Sequence, residues 1–392
     1  MSRYFDLVSK PARDLAGYFP TPSPSQTPAD AQPPLIKLDA NENPFGPSPL
    51  ALEAMQSALA AANFYPDDDC AKLRRKLAAY HAVPMEQVLV TVGSTGMLAL
   101  LCQTMLAPGL NAVTSERSFI IYGMAVRATG AQLIQAPLRK DKDQNKDGFD
   151  LAAILHAIND DTRIIFLANP NNPTGTMLEA WEVDQFLAEV PPHVVVVLDE
   201  AYYDFAVHFA ALRKVEYSRS LEYLRRGARV IVLRTFSKAH GLAGLRVGYG
   251  LGPSELLTYC ARMRNPFSVS SLAQAAALAA LDDDGHIARV VSNNASQAQI
   301  LTDRLSELGH RVVPTAANFL YCDVGEDASG VAGRLRGEAI SVRPLSAWGA
   351  PTSIRVTIGT PEQNEFFLSA MRKIAGIPSR AADRPPDVPH RW

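Results

Sequence analysis

The sequence predicts an α/β fold, with a large domain built on a mainly parallel sheet covered by helices and a smaller α+β domain after it. Two observations lead to this prediction. Through the middle of the chain, short apolar β-branched runs alternate with amphipathic stretches, which is typical of parallel strands buried on both faces. Beyond about Ser271 the order changes to long helical stretches and separate strand-like runs. A chain of 392 residues is also long enough for two domains.

Five runs are predicted to be strands of the large sheet, and three stretches between them to be helices. The strands are Val88–Val92, Arg163–Ala168, Val194–Leu198, Arg229–Leu233 and Arg246–Gly250. The helices are Met97–Leu106, Leu151–Ile158 and Leu178–Val190. In the smaller domain we expect helices at 271–308 (with a break near 282–285), 328–338 and 361–374, and strands at 319–324, 340–344 and 354–358.

The domain boundaries follow from this order and from composition. Residues 20–34 are rich in Pro, Ser and Thr, and the segment 378–392 is rich in Pro and charged residues; neither composition packs a core. We therefore predict an N-terminal arm at 1–48, a large domain at 49–275, a small domain at 276–377 and a flexible tail at 378–392.

Composition argues against several classes of protein. The formal net charge is −2, the sequence pI is about 6.5, and no Lys/Arg-rich run is present, so neither nucleic acid nor an anionic membrane is an expected partner. The four cysteines are far apart and form no CxxC pair, which argues against a disulfide framework or a zinc site. No window approaches the roughly 18 apolar residues of a membrane span. We expect a soluble cytoplasmic protein without a metal.

In open α/β sheets, ligands bind at the carboxyl ends of the strands, so the segments that end strands are the candidates for a functional site. The turn Val92–Gly96 leads into a helix and could be an anion site or an ordinary helix cap. The loop Asn169–Thr176 is rigid and rich in amides. Asp199, which ends an apolar strand, needs either a positive partner or a structural salt bridge or cap.

Two further segments contain cationic side chains. Lys238 lies beside two hydroxyls in a small-residue loop; a desolvated lysine has a lowered pKa, and its neutral amine can form an imine. The glycines near it do not form a GxGxxG after the first strand, so a nicotinamide site has little support. Arg343 and Arg355, in two predicted strands, could be ion-paired structure or a clamp for an anionic substrate; by themselves they slightly favour structure.

Taken together, these segments resemble the fold-type I pyridoxal-phosphate aminotransferases and, more narrowly, the histidinol-phosphate aminotransferase family. The resemblance extends from Leu38 to about Ile374. It depends on an ordered series of motifs: Asp39–Pro49, Tyr65–Asp67, Asn169–Gly175, Asp199–Tyr202, Thr235–Arg246 and Arg355–Gly359.

The resemblance implies pyridoxal 5′-phosphate as the cofactor, held as a Schiff base on Lys238, which would also move the Cα proton of the substrate. Asp199 would pair with the pyridinium nitrogen and keep the ring an electron sink. Tyr202 and Asn172 would hydrogen-bond the phenolic oxygen, and Tyr122 would stack on the ring face.

The resemblance also implies ligands for the cofactor's phosphate and for the substrate. Tyr65 would reach the phosphate from the neighbouring subunit of a homodimer with shared sites. The other expected phosphate ligands are Ser94, Thr95, Thr235, Ser237 and Arg246. The expected substrate ligands are Arg343, Arg355, Tyr18 and Asn43.

The implied reaction is transfer of the amine of histidinol phosphate to 2-oxoglutarate, giving imidazole acetol phosphate and glutamate, a step of histidine biosynthesis. Arg355 alone suits a carboxylate, whereas Arg355 with Arg343 suits a dianionic phosphate better. Three departures from the family pattern leave other donors open: Thr95-Gly96 replaces an acidic pair, His240 replaces a phenylalanine, and Ser341 replaces an apolar residue.

Three alternatives remain. The nearest is an aromatic amino-acid aminotransferase or a specialised paralogue of the same family. A phosphothreonine decarboxylase shares the cofactor but breaks a different Cα bond, and the string Ser237–Arg246 is more similar to the transaminases. A ligand-sensing domain of a transcription regulator needs a DNA-binding module, and the N-terminal arm is too short to supply one.

Overall fold

The computed structural model describes residues 5–15, 35–139 and 147–376. Its strands are β1 (Ile36–Lys37), β2 (Val88–Thr91), β3 (Asn111–Ser115), β4 (Gln132–Ala136), β5 (Thr162–Ala168), β6 (Val195–Asp199), β7 (Val230–Thr235), β8 (Gly248–Leu251), β9 (Arg311–Val313), β10 (Phe319–Asp323), β11 (Ile340–Ser341), β12 (Arg343–Leu345) and β13 (Ala350–Thr357). Its α-helices are α1 (Lys10–Asp14), α2 (Pro49–Ala58), α3 (Ala71–His81), α4 (Gly93–Met105), α5 (Ile120–Ala128), α6 (Leu151–His156), α7 (Ala180–Glu189), α8 (Tyr203–Arg213), α9 (Ser220–Arg225), α10 (Ser254–Arg262), α11 (Ser271–Ala280), α12 (Asp284–Glu307), α13 (Ala328–Gly337) and α14 (Pro361–Ile374).

A seven-stranded sheet in the order β2-β8-β7-β6-β5-β3-β4 forms the centre of the chain. Every residue of β6 and β7 is buried, and successive side chains of a strand point to opposite faces. Both faces of the sheet are therefore covered, as continuous apolar runs predict. The α/β fold and the five predicted strands are confirmed.

The sequence analysis missed two strands, β3 and β4. Strand β3 has the sequence NAVTS and β4 has QLIQA, so neither is a continuous apolar run. Strand β4 lies at the edge of the sheet and has exposed glutamines at positions 132 and 135. Edge strands need less apolar sequence because one side of the strand faces no neighbour.

The large sheet is mainly parallel, as predicted, and contains one antiparallel strand. Strand β8 is antiparallel to both β2 and β7, while the other strands of the sheet are parallel. A parallel return needs a crossover of about a dozen residues or more, usually a helix. The segment between Thr235 and Gly248 instead forms the loop that contains Lys238, so the chain returns directly beside β7.

The C-terminal part contains a four-stranded antiparallel sheet, β12-β13-β10-β9, with helices α12 to α14. The break predicted near 282–285 separates α11 from α12, and α14 begins at Pro361 with a capping box between Thr360 and Gln363. The strand predicted at 340–344 is two strands. Strand β11 pairs with β1, and β12 pairs with β13. The domain boundaries themselves stay a prediction, and residues 20–34 and 378–392 lie outside the described residues.

The segment from residue 35 to residue 48 connects the two parts of the fold. Strand β1 pairs in parallel with β11. The backbone N–H of Leu38 donates to the carbonyl oxygen of Ser341, and the carbonyl oxygen of Leu38 accepts from the backbone N–H of Thr357, each at 2.8 Å. Leu38 is buried in the same apolar cluster as Ile340 and Phe367. This segment, called the strap below (residues 35–48), then crosses to the loop that contains Lys238.

A buried ion pair joins the ends of β6 and β7. The Glu200 carboxylate accepts hydrogen bonds from Nε (3.1 Å) and Nη2 (2.8 Å) of Arg234, and further bonds from the hydroxyls of Ser218 and Ser220. The Arg234 guanidinium also lies 3.4 Å from the ring centroid of Tyr203. Because each charge has several partners, the pair can be buried without leaving an unsatisfied charge.

The strap and the lysine loop approach each other most closely at Gly241. A Cβ at this position would lie 2.1 Å from the carbonyl oxygen of Gly46, and the residue has a φ of +72°. The backbone N–H of Ser48 bonds the carbonyl of His240 at 3.4 Å. Only glycine fits here, on both steric and conformational grounds.

We expect Gly241→Ala to lower the free energy of unfolding by about 3 kcal/mol, because it adds overlap with the strap to the cost of a left-handed alanine. Gly227→Ala is the matched control, since Gly227 has a φ of +73° but open space around its Cβ position. That variant should lose only about 1 kcal/mol. Urea unfolding monitored by circular dichroism measures both; equal losses would show that the strap does not press on Gly241.

Candidate active site

Polar side chains converge where three adjacent parallel strands end. Asn172 follows β5, Asp199 is the last residue of β6, and Lys238 follows β7. The strands are neighbours in the sheet, so these residues meet at its carboxyl edge, where ligands bind in this class of fold.

Asp199 is a buried carboxylate with two hydrogen-bond donors. The hydroxyl of Tyr122 donates to its Oδ2 at 2.8 Å, and the backbone N–H of Ala201 donates to its Oδ1 at 3.2 Å. Burial raises the pKa of Asp199 to about 6, while the two donors oppose this rise. The carboxylate is held rigidly and is suited to accept a bond from a cationic N–H group.

Tyr122 does not offer a ring face for stacking, which corrects the prediction for this residue. Its side chain is fully buried, and its ring stacks on Phe166 with 4.7 Å between centroids and 9° between planes. Its hydroxyl instead orients Asp199. Phe119, which is partly exposed and packs edge-on against Tyr122 at 5.6 Å, is the neighbouring aromatic residue able to cover a flat ligand.

Lys238 is held by the strap. Its Nζ donates to the carbonyl oxygens of Ala40 at 3.2 Å and Asn41 at 3.1 Å. Burial lowers the pKa of Lys238 from 10.5 to about 7, with the positive charge of Arg355 contributing in the same direction. A substantial fraction of the amine is therefore neutral near pH 7, the form that attacks a carbonyl group.

Tyr202 lies close to the lysine and to the strap. Its ring centroid is 5.7 Å from Lys238 Nζ, and its hydroxyl oxygen accepts hydrogen bonds from Asn41 Nδ2 at 2.9 Å and Asn172 Nδ2 at 3.4 Å. Asn172 Oδ1 accepts from Nη1 of Arg355 at 2.7 Å. A single network thus joins the tyrosine, both asparagines and the arginine.

A cluster of hydroxyls and one guanidinium lies at the start of α4. Arg246 donates to Thr95 Oγ1 (3.3 Å) and to Ser237 Oγ (3.4 Å), and Thr235 Oγ1 donates to Ser237 Oγ at 3.0 Å. Helix α4 begins at Gly93, which has a φ of +74°, and a Cβ there would lie 2.8 Å from Arg246 Nη2.

The residue that caps α4 is Val92, which has no polar side chain to bond the first backbone N–H groups. These backbone N–H groups form one set of donors with Ser94 of the first turn, the hydroxyls and Arg246. This set, called the phosphate cradle below, suits a dianionic phosphate. Thr95, one of the departures from the family pattern, is part of this set through its bond to Arg246.

Arg343 and Arg355 are directly opposite each other on β12 and β13. Opposed residues of an antiparallel pair project from the same face of the sheet, so the two guanidinium groups start from adjacent points. Arg355 is buried and also donates from Nη2 to the carbonyl of Asp39 at 2.8 Å, while Arg343 is only half-buried. This placement agrees with a paired clamp, whose role in substrate binding stays a prediction.

Three other expected site residues differ in their placement. The amide of Asn43 is used within the fold, since Nδ2 donates to Ala239 O at 2.8 Å and Oδ1 accepts from Phe45 N at 2.9 Å. These bonds order the strap, and the role of Asn43 in substrate binding stays a prediction. Tyr65 is 82% exposed and stacks on Phe267 at 4.7 Å. Tyr18 lies outside the described residues.

The sequence analysis did not single out Asn41, which contacts both Lys238 and Tyr202. It also left Ser341 unexplained. The hydroxyl of Ser341 donates to Asp39 Oδ2 at 2.9 Å, and both side chains are buried. The polar residue on β11 therefore has a polar partner on the strap, two residues before Asn41.

In the described part of the chain, neither a metal site nor a membrane-spanning helix is found. No group of three or more His, Cys, Asp or Glu residues among 5–15, 35–139 and 147–376 could hold a metal ion. Within the same ranges, no helix is long and apolar enough to cross a membrane.

Comparison with known proteins gives a consistent result. The family profile "Aminotransferase class I and II" matches residues 33–371. Histidinol-phosphate aminotransferase 2 of Pseudomonas aeruginosa is 45% identical over 340 residues, covering 87% of this chain and 89% of the relative. Histidinol-phosphate aminotransferase of Moorella thermoacetica is 42% identical over 341 residues, covering 87% and 85%.

A solved structure agrees with these relatives. The crystal structure of histidinol-phosphate aminotransferase from Sinorhizobium meliloti in complex with pyridoxal-5′-phosphate superposes with a TM-score of 0.80 at 28% identity, covering 88% of this chain and 92% of that one. The fold of this chain is therefore that of the fold-type I aminotransferases. By profile, identity and coverage, the chain belongs to the class I and II aminotransferases and, within them, to the histidinol-phosphate aminotransferase family.

Proposed function

We propose that this protein uses pyridoxal 5′-phosphate to transfer the amine of histidinol phosphate to 2-oxoglutarate, a step of histidine biosynthesis, and that it acts in the cytoplasm. The observation that carries the proposal is the meeting of Lys238, Asp199 and the Arg246 cluster at one edge of the sheet. The names of the relatives that match 87% of the chain support the choice of donor.

The residues present fit this cofactor. The donors around Arg246 suit its phosphate, Asp199 suits its pyridinium nitrogen, and the hydroxyl of Tyr202 suits its phenolic oxygen. The positions of Gly93 and Gly248 add a steric argument, because a Cβ at Gly248 would lie 2.6 Å from the backbone nitrogen of Ser94. Two glycines thus keep the phosphate cradle open where any side chain would fill it.

When bound, the cofactor supplies an aldehyde carbon and a ring that accepts the electron pair left behind by a departing proton. Lys238 provides the amine that holds the aldehyde, and its Nζ, once free and neutral, can take the proton from the substrate's Cα. Asp199 would accept a hydrogen bond from the pyridinium N–H and so keep that nitrogen protonated. The strap carbonyls that hold Nζ limit where the amine can move.

We propose that two arginines of the four-stranded sheet determine which substrate binds. Arg355 accounts for the carboxylate of glutamate, and Arg343 adds a second guanidinium for the phosphate ester of histidinol phosphate. An aromatic amino acid has a single carboxylate, so the paired arginines favour the phosphorylated donor.

The first test is a spectral titration of the holoenzyme with candidate donors. We expect histidinol phosphate to convert the visible band of the bound cofactor at concentrations about 100-fold lower than phenylalanine or tyrosine, because a second charge-assisted contact contributes about 1.5–3 kcal/mol. The opposite order would identify an aromatic aminotransferase.

Arg343→Gln tests the clamp in the same titration. The concentration of histidinol phosphate needed to convert the visible band should rise at least about tenfold. The corresponding concentration of glutamate should change much less. Arg334→Gln is the control, since Arg334 is a half-exposed arginine of α13 that pairs with Glu326 and should leave both values unchanged. Equal effects of Arg343→Gln on both donors would remove the phosphate assignment.

The lowered pKa of Lys238 predicts how cofactor attachment depends on pH. Only the neutral amine reacts, so the rate at which pyridoxal 5′-phosphate attaches to the cofactor-free protein should rise about tenfold per unit below pH 7 and level off above about pH 8. Growth of the visible absorption band measures this rate, and Lys238→Ala gives the blank. A rate that still rises above pH 9 would show a lysine with an ordinary pKa.

We also propose a homodimer in which Tyr65 of one copy reaches the phosphate site of the other. The support is exposure: Phe64 is 70% exposed, Tyr65 82% and Phe267 45%, an aromatic surface that protein interfaces favour.

Mixing two inactive variants tests this arrangement. In a mixed dimer of Lys238→Ala and Tyr65→Ala copies, one site would contain both native residues, so an equal mixture should recover about a quarter of native activity per site. If Tyr65 served its own copy, both sites would stay defective and no recovery would occur. Each variant alone, refolded or exchanged in the same way, is the control.

A further inference from the structure

We propose that Asn41 is a positioning residue, whose side-chain amide orients the Tyr202 hydroxyl so that its proton is donated to the cofactor's phenolic oxygen. This inference rests on the proposed function and deepens it. It assigns a task to a residue of the strap that the sequence analysis did not single out.

The hydrogen bond between Asn41 and Tyr202 has only one possible direction. An amide NH₂ group can only donate, and Asn41 Nδ2 lies 2.9 Å from the Tyr202 oxygen. The orientation of the amide is set by Thr357, whose hydroxyl oxygen accepts from the backbone N–H of Asn41 at 2.9 Å. The hydroxyl proton of Thr357 is therefore directed to Asn41 Oδ1, at 3.4 Å.

The amide of Asn172 also has only one possible orientation. Its Oδ1 accepts from Nη1 of Arg355, and a guanidinium group can only donate. Its NH₂ group must therefore face the other way, toward the Tyr202 oxygen at 3.4 Å. Two amides thus donate to the same hydroxyl oxygen, which has two lone pairs.

The two donors determine where the Tyr202 hydroxyl proton can point. With both lone pairs of Tyr202 engaged, its proton must point elsewhere, and within the described part of the chain the hydroxyl acts only as an acceptor. Tyr202 is 5% exposed, so water offers little competition. The proton is available for an anionic oxygen placed between Tyr202 and Lys238.

The backbone of Asn41 explains why asparagine suits this position. Its φ is +56°, a left-handed conformation that asparagine, aspartate and glycine tolerate best. In this conformation its carbonyl accepts from both Lys238 Nζ and Asn318 Nδ2, each at 3.1 Å. One residue thus contacts the amine through its backbone and the tyrosine through its side chain.

The test replaces the donor by an acceptor of the same shape. Asn41→Asp keeps the size and the backbone preference, but a carboxylate would take the Tyr202 proton for itself. A hydrogen bond to the phenolic oxygen favours its deprotonated form, so losing this bond should raise the pH midpoint of the visible band of the bound cofactor by about 1 unit or more. A pH titration of the absorbance measures the midpoint without turnover.

The introduced negative charge could raise the midpoint by itself, and a double-mutant cycle separates the two causes. In a Tyr202→Phe background, Asn41→Asp should produce less than half of the shift that it produces in the native background. Asn41→Gly, which keeps the backbone conformation and removes the donor without adding an acceptor, should give a smaller shift than Asn41→Asp. The thermal midpoint of each cofactor-free variant identifies any variant that fails to fold.

An equal shift by Asn41→Asp in both backgrounds would overturn the proposal, since the residue would then act as a charge alone. No shift in the native background would overturn it as well. If the native protein forms no visible band with pyridoxal 5′-phosphate, the proposed function itself fails, so the two failures are distinguishable.

Discussion

The buried ion pair between Glu200 and Arg234 is the contact on which the active-site edge depends. Each partner is adjacent in sequence to a site residue, Asp199 on β6 and Thr235 on β7. The pair therefore fixes the relative position of the strand that ends at Asp199 and the strand that leads to Lys238. Because both charges are buried, removal of either one would leave the other unpaired, which typically costs about 3–5 kcal/mol.

Burial also accounts for the chemistry of the two central groups, and it acts on them in opposite directions. It raises the pKa of the Asp199 carboxyl to about 6 and lowers the pKa of the Lys238 ammonium to about 7. The hydrogen bonds from Tyr122 and Ala201 oppose the rise for Asp199. Around neutral pH the carboxylate is thus mostly charged while much of the amine is neutral, which is the combination that the proposed cofactor chemistry needs.

Sequence reasoning succeeded where burial determines residue type. Strands β5 to β7 are buried on both faces and therefore appear as continuous apolar runs, and the polar residues that end them, such as Asp199, are conspicuous for that reason. It failed where packing decides. Whether Phe119 or Tyr122 faces the site depends on which ring packs on Phe166, and the two residues are one helical turn apart.

The strap shows the same limit. Asn41 and Asn43 stand two residues apart in one motif, and nothing local distinguishes them. Asn41 meets Tyr202 across 161 positions of sequence, whereas the amide of Asn43 bonds Ala239 across 196. Residue type indicated that an amide matters here, but only the tertiary contacts show which one reaches the site.

The register of β12 and β13 has a consequence for how such enzymes diverge. Arg343 belongs to a four-stranded sheet that is separate from the seven-stranded sheet holding Asp199 and leading to Lys238. Under the proposed function, a substitution at Arg343 changes which amine donor binds, while the groups proposed to hold the cofactor stay in place. Under the proposed function, the amine donor can therefore change through substitutions on one short strand while the cofactor site is retained.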